Sequence, residues 1–144
     1  MLSDIPTQEI YNVLTDYCSL PRVFHNVEKC SVSVSEDGRK FITQMMLWNF
    51  LIFRGSFETE LEVSENVEDF EISFSLVQSA FMNQFVGAWR IDEDVTGASV
   101  IRHSISVAPS VRPPQKIGDL TKRIFEAQVQ NILRDLASEL KHRE

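Results

Sequence analysis

Apolar residues recur at every second position through much of the chain between Cys30 and Val107, the spacing of strands covered on one face and wet on the other. Cys30, Val32 and Val34 alternate with Ser31, Ser33 and Ser35 and stop at Glu36-Asp37-Gly38-Arg39, a hairpin turn in which Gly38 supplies the positive φ. A strand follows from Lys40 to Phe53. Phe57, Thr59, Leu61 and Val63 then alternate with Glu58, Glu60, Glu62 and Ser64, and Phe70, Ile72, Phe74 and Leu76 repeat the pattern against Asp69, Glu71, Ser73 and Ser75. Phe85, Gly87, Trp89 and Ile91 make the next run, and Asp94-Val95-Thr96-Gly97 turns the chain into Ile101, His103, Ile105 and Val107. Pro109, Pro113 and Pro114 end the sheet, because proline cannot donate to a ladder. Six strands in a meander are predicted.

The two ends of the chain read as helix. Asp4-Ile5-Pro6-Thr7-Gln8-Glu9 opens a first helix with polar capping residues and a proline in the first turn, and Ile10, Val13 and Leu14 form its stripe as far as Tyr17. Ser19 to Phe24 allow a second short turn, since Pro21 is tolerated at its start. Residues 117–141 carry Ile117, Leu120, Ile124, Val129, Ile132, Leu136 and Leu140 at near-helical spacing with no internal proline and with Gly118 only at the start of the span. A helix of that span is about 37 Å long at about 1.5 Å per residue. The apolar strand faces and this helix can bury one another, which predicts an α+β fold with an antiparallel sheet curved around a C-terminal helix.

Composition narrows the function without naming it. The 144 residues suit one domain, and 43% hydrophobic with 24% charged residues is ordinary for a globular chain. Met45 to Phe53, the longest apolar stretch, is interrupted by Asn49 and is too short to span a bilayer. Met1-Leu2-Ser3-Asp4 has neither the basic nor the apolar segment of a secretory signal, although a removed targeting peptide would leave no trace. Cys18 and Cys30 form neither a disulfide framework nor a zinc motif, so a reducing compartment, whether cytoplasm, plastid stroma or mitochondrial matrix, is expected. The net charge is −7, with 16 acids against 7 bases in residues 1–111 and 5 acids against 7 bases thereafter. Without a cluster of bases larger than Arg39-Lys40 or Lys122-Arg123, nucleic acid is not an expected partner.

The wording of certain segments adds a resemblance. Val13-Leu14-Thr15-Asp16-Tyr17-Cys18-Ser19-Leu20-Pro21 followed by Phe24-His25-Asn26-Val27 resembles the opening of START-like (SRPBCC superfamily) polyketide cyclase/dehydrase and coenzyme Q-binding proteins. Arg54-Gly55-Ser56-Phe57, Phe74-Ser75-Leu76-Val77-Gln78 and Phe85-Val86-Gly87-Ala88-Trp89-Arg90-Ile91 follow in that family's order and spacing, so the similarity covers nearly the whole chain. It implies a helix-grip fold: a curved antiparallel sheet of six to seven strands, two short N-terminal helices, and a long helix roofing an apolar tunnel for a lipid, isoprenoid quinone or polyketide. There are two departures. The family usually begins with a strand for which Met1 to Ser3 leave almost no room, so this strand is expected to be missing or trimmed and its sheet edge open to a second chain. His25 stands where the family commonly has proline.

The first expectation is a carrier or chaperone of a hydrophobic small molecule, with Phe57, Phe74, Phe85, Trp89, His103, Ile124 and Phe125 near the pocket and no metal or organic cofactor. His103 shares the parity of Ile101, Ile105 and Val107, which places it on the covered face, where a neutral imidazole can bind a carbonyl or change its pKa. The same residue is the one candidate proton-transfer group for the alternative, a cyclase or dehydratase; a satisfied core histidine is the plainer reading. A third reading is a protein-interaction module that uses a sheet edge, including a homodimer, or the acids Glu58, Glu60, Glu62, Glu65, Glu68, Asp69 and Glu71. Those acids also read as a solvated face. Trp48, Phe50, Phe81 and Met82 fall where apolar residues occupy both faces, and an exposed patch there would meet a membrane transiently during lipid transfer.

Overall fold

In the computed structural model of the chain, residues 1–50, 53–79, 82–109 and 115–143 are described, with side chains described outside 47–57, 80–83 and 107–125. Trp48, Phe50, Phe81 and Met82 therefore lie outside the described side chains. The elements run β1 (Leu2–Ser3), α1 (Thr7–Thr15), a 3-10 turn (Tyr17–Ser19), α2 (Leu20–Val23), β2 (Val27–Val34), β3 (Lys40–Phe50), β4 (Phe53–Asn66), β5 (Glu71–Ser79), β6 (Met82–Glu93), β7 (Ser99–Pro109) and α3 (Gln115–His142). The seven strands form one sheet in the order β1-β7-β6-β5-β4-β3-β2, with antiparallel neighbours throughout.

At the β7 edge, where the first strand is expected to be missing or trimmed, two residues form β1. Leu2 pairs with Val100 and Ser3 with Ser99, and Met1 extends the ladder by accepting from Ile101 N at 2.8 Å and donating its terminal amine to Ile101 O at 3.0 Å. Ser99 Oγ donates to Ile5 O at 2.6 Å and fixes where the chain leaves the sheet for α1.

Local chemistry accounts for the turns. Gly38 and Gly97 both sit at φ +86°, a conformation that costs a Cβ-bearing residue energy and glycine none. Asp94 Oδ1 accepts from the backbone N–H of Thr96 and Ala98 at 2.8 and 3.0 Å, which closes the second of these turns. Phe70 differs from the alternation that assigns it to a strand. It precedes β5 at φ +52°, its carbonyl accepts from Ile91 N at 3.1 Å, and its ring meets Tyr11 edge-on at 5.6 Å. Those contacts offset the roughly 1–2 kcal/mol that the left-handed conformation costs a residue with a Cβ.

The core lies on the covered face of the sheet. Ile10, Tyr11, Val13 and Leu14 from α1, Leu20 and Val23 from α2, and Ile132, Leu136 and Leu140 from α3 are buried with Ile42, Leu61, Val63, Ile72, Ile91 and Ile101 from the strands. The last turns of α3 are also held by polar contacts. Asp135 accepts from His25 N at 3.0 Å and lies 2.8 Å from His25 Nδ1. A proline at position 25, common in the resembling family, could not make the first of these bonds.

The acidic hairpin is partly neutralised by neighbouring strands. Glu62 binds Arg39 at 2.7 Å, Glu65 binds Lys40 at 2.8 Å, and Glu71 binds Arg90 at 2.9 Å. Glu65 also accepts from Tyr17 Oη at 2.6 Å, so it ties the N-terminal helices to the sheet.

Candidate functional site

Strands β5, β6 and β7 carry their covered-face residues in register, which brings distant sequence positions into rows. Trp89 faces Ile72 on one side and His103 on the other, and Gly87 likewise faces Phe74 and Ile105. Burial changes along these strands. Ile72, Ile91 and Ile101 are each 1% exposed, and Trp89 is 5% exposed. Phe74, Leu76, Phe85 and Ile105 are only half-buried, although they share the same face and pack against the same core. Fully buried apolar side chains mark a filled end of the grip, and half-buried ones mark an end that still has surface to cover.

Gly87 shapes the second end. A Cβ at this position would lie 3.2 Å from Phe85 Cε1 and 3.7 Å from Phe74 Cδ2, so the Phe85 ring occupies the space that a side chain at 87 would take. The glycine is thus a packing device here, with two rings laid over its backbone.

His103 and Trp89 stand where the two ends meet. Their rings stack with centroids 3.9 Å apart at 23°, and Trp89 also stacks on Phe24 at 6.1 Å. Such pairs add roughly 0.5–1.5 kcal/mol beyond area burial. His103 Nδ1 lies 3.0 Å from Ala88 O, and His103 Nε2 is buried without a hydrogen-bond partner among the described residues. Burial pushes the imidazole down from 6.5 to about 4, with the Ala88 bond opposing in part. The ring is neutral at pH 7. Because a carbonyl oxygen accepts only, Nδ1 carries the proton and Nε2 is left as an acceptor. In this tautomer Nε2 can accept a hydrogen bond and cannot donate one.

Of the residues predicted to line a pocket, Phe74, Phe85, Trp89 and His103 are brought together on one face. Phe57, Ile124 and Phe125 lie outside the described side chains. Pattern reading passed over the polar members of the covered face. Thr59 is fully buried with no partner for Oγ1 among the described residues, and its ladder partner Gln44 is 7% exposed, with Nε2 3.9 Å from Cys30 Sγ. The alternation Phe57-Thr59-Leu61 placed Thr59 inward, but Gln44 sits in a strand with apolar residues on both faces, where parity gives no direction.

Two surface grooves bordered by described residues lie elsewhere. One of about 530 Å³ is lined by Pro21, Lys29, Cys30, Thr43, Met45 and Glu58 among others, and one of about 380 Å³ runs between Met1 to Asp4 and Ala137, Leu140 and Lys141. Neither includes Trp89 or His103. Among the described residues no three His, Cys, Asp or Glu side chains converge as metal ligands, and no helix is long and apolar enough to cross a membrane.

A sheet gripping a long C-terminal helix, with two short helices closing one end, defines a START-like helix-grip protein. Comparison with known proteins agrees. The chain belongs to the polyketide cyclase/dehydrase and lipid transport family, whose profile matches residues 3–137. No curated protein matches it in sequence. Solved structures share its fold at low identity. A START superfamily protein from Mycobacterium smegmatis aligns with TM-score 0.84 and 13% identity over 100% of this chain and 95% of its own. The Zhui aromatase/cyclase from Streptomyces sp. R1128 gives 0.78 and 11% over 99% and 91%. A STAR-related lipid transfer protein from Xanthomonas axonopodis gives 0.64 and 13% over 98% and 82%.

Proposed function

We propose that this protein binds and carries a hydrophobic small molecule, a lipid, isoprenoid quinone or polyketide-like compound, between the sheet and α3. The observation that carries this reading is the row of half-buried apolar side chains Phe74, Leu76, Phe85 and Ile105 on a face whose other end is fully buried. An apolar guest covering them would gain about 25 cal/mol for each Å² removed from water. Family membership supports it, as do similar folds named as a lipid transfer protein and an aromatase/cyclase. Phe57, Phe74, Phe85, Trp89, His103, Ile124 and Phe125 are the proposed contacts.

A cyclase or dehydratase acting through His103 is the competing reading. An imidazole held near 4 is almost wholly unprotonated at pH 7 and is a weak base, which suits holding a substrate better than moving its protons. The edge strand β2 exposes Val32 and Val34, at 38% and 63%, which supports pairing with a second copy. Light scattering tests that pairing. Contact with a membrane surface during loading belongs to the same reading, and free Cys18 and Cys30 support a reducing compartment.

Native mass spectrometry of the protein purified from a lipid-rich host is expected to show a retained apolar molecule. A ligand-free folded protein that also fails to bind 1-anilinonaphthalene-8-sulfonate would overturn the carrier reading.

A further inference from the structure

The polarity of His103 bears on which hydrophobic molecule the protein holds, an inference that rests on the carrier reading. His103 Nδ1 lies 3.0 Å from Ala88 O on the neighbouring strand, and a carbonyl oxygen has no proton to give, so the shared proton belongs to Nδ1. The remaining polar atom, Nε2, is then a bare lone pair. It is buried and has no partner among the described residues, an arrangement that folding tolerates poorly unless a donor arrives from elsewhere. Trp89 stacks on the ring at 3.9 Å, and the half-buried Phe74, Phe85 and Ile105 occupy the same sheet face. We infer that Nε2 of His103 is the polar recognition atom of the pocket and that the ligand presents a hydroxyl, preferably a phenol, as donor to it.

The consequence is a sorting rule among apolar compounds of similar size. A quinone, ketone or ester offers acceptors only, and its oxygen would set lone pair against lone pair at Nε2. A quinol, a phenolic polyketide or another hydroxylated lipid supplies the missing proton. A phenol suits the surroundings further, because its ring matches the aromatic side chains of Phe74 and Phe85 on the same sheet face as the imidazole. Burial keeps the imidazole neutral at pH 7, so Nε2 remains an acceptor there.

The test compares 2-naphthol with 2-methoxynaphthalene, two guests of similar shape that differ in the donor, by isothermal titration calorimetry on wild type and His103→Phe. Wild type is expected to bind 2-naphthol about tenfold more tightly, as one hydrogen bond warrants, and His103→Phe to bind both guests equally. Equal binding by wild type, or a preference that survives in His103→Phe, overturns the inference and leaves the carrier reading intact. If folded wild type binds neither guest, the inference is overturned, while the carrier reading is judged by the retained ligand and by 1-anilinonaphthalene-8-sulfonate binding. A second measurement does not depend on the variant folding: imidazole ¹⁵N spectra of wild type should show a protonated Nδ1 and an unprotonated Nε2 that shifts on adding 2-naphthol. A proton on Nε2 in the ligand-free protein, or an Nε2 signal indifferent to 2-naphthol, overturns it.

Discussion

The two ends of strands β5 to β7 have the same backbone, the same parity and similar residue types, yet one is packed solid and the other is not. At the filled end, Ile72, Ile91 and Ile101 are covered in a core shared with α1 and with Leu136 and Leu140 of α3. At the other, Phe74, Leu76, Phe85 and Ile105 keep part of their surface uncovered. The difference teaches that alternation reports which face of a strand turns inward, whereas the helices that arrive from outside the sheet decide whether that face becomes core or lining.

The largest expected effect separates the ends directly. Leu136 is 0% exposed, and Leu136→Ala should cost about 2–5 kcal/mol in urea unfolding through lost burial and the cavity left behind. Leu76→Ala makes the same chemical change at the half-buried end and should cost less than half as much, while weakening 1-anilinonaphthalene-8-sulfonate binding that Leu136→Ala leaves intact at temperatures where it remains folded. Equal costs at both positions would erase the distinction between core and lining.

The boundary should show in the pH dependence. His103 has a folded pKa below its ordinary 6.5, so the unfolded chain binds more protons between the two values and stability falls as pH drops through that window. The contribution is fully present above 6.5 and lost by about pH 4, a change on the order of 3 kcal/mol at about 1.4 kcal/mol per unit. Carboxylates titrate in part of the same window, so the quantity to measure is the difference between wild type and His103→Phe across pH 4 to 7. Parallel curves would mean that the imidazole is not held neutral by burial.

A smaller effect is expected where α3 is anchored. Asp135→Ala removes the acceptor of both His25 contacts, and because His25 is exposed, water replaces much of what is lost. A cost of about 1 kcal/mol in urea unfolding is expected. A change as large as that of Leu136→Ala would mean that this polar clamp, rather than apolar burial, seats the end of the helix.

What the sequence disclosed divides along the same physical line. Strands β4 to β7 were legible because one wet and one covered face impose a period of two, and the turns at Gly38 and Gly97 because only glycine takes their φ at no cost. Helix α3 was legible as a stripe extending within two residues of its observed bounds, Gln115–His142. The strand β1 was not, since two residues carry no period. Phe70 was misread as strand because alternation cannot register a left-handed φ held by Tyr11 and Ile91. For the site, parity placed Trp89 and His103 on the covered face, and the ladder register, which parity does not give, brings them together. The tautomer of His103 depends on Ala88 lying beside it across the ladder, and the bond between Asp135 and His25 joins residues 110 apart, so neither is written in local pattern.

Gly87 gives the smallest change in stability and the most selective test of the half-buried end. It has no positive φ, so alanine fits the backbone and should stabilise by roughly 0.4–1 kcal/mol through the unfolded chain. Against that, the new Cβ would lie 3.2 Å from Phe85 Cε1 and 3.4 Å from its Cζ, which obliges the ring to move by a few tenths of an ångström. Net stability should therefore change by less than about 1 kcal/mol. The ring is one of the proposed lining groups, and a Cβ at 87 pushes it away from the sheet backbone, toward space a guest would use. Gly87→Ala should consequently weaken 1-anilinonaphthalene-8-sulfonate several-fold at nearly unchanged unfolding midpoint. If binding holds while the midpoint falls by an amount typical of a core substitution, Phe85 belongs to the packed core, and the lining begins closer to Leu76 and Ile105.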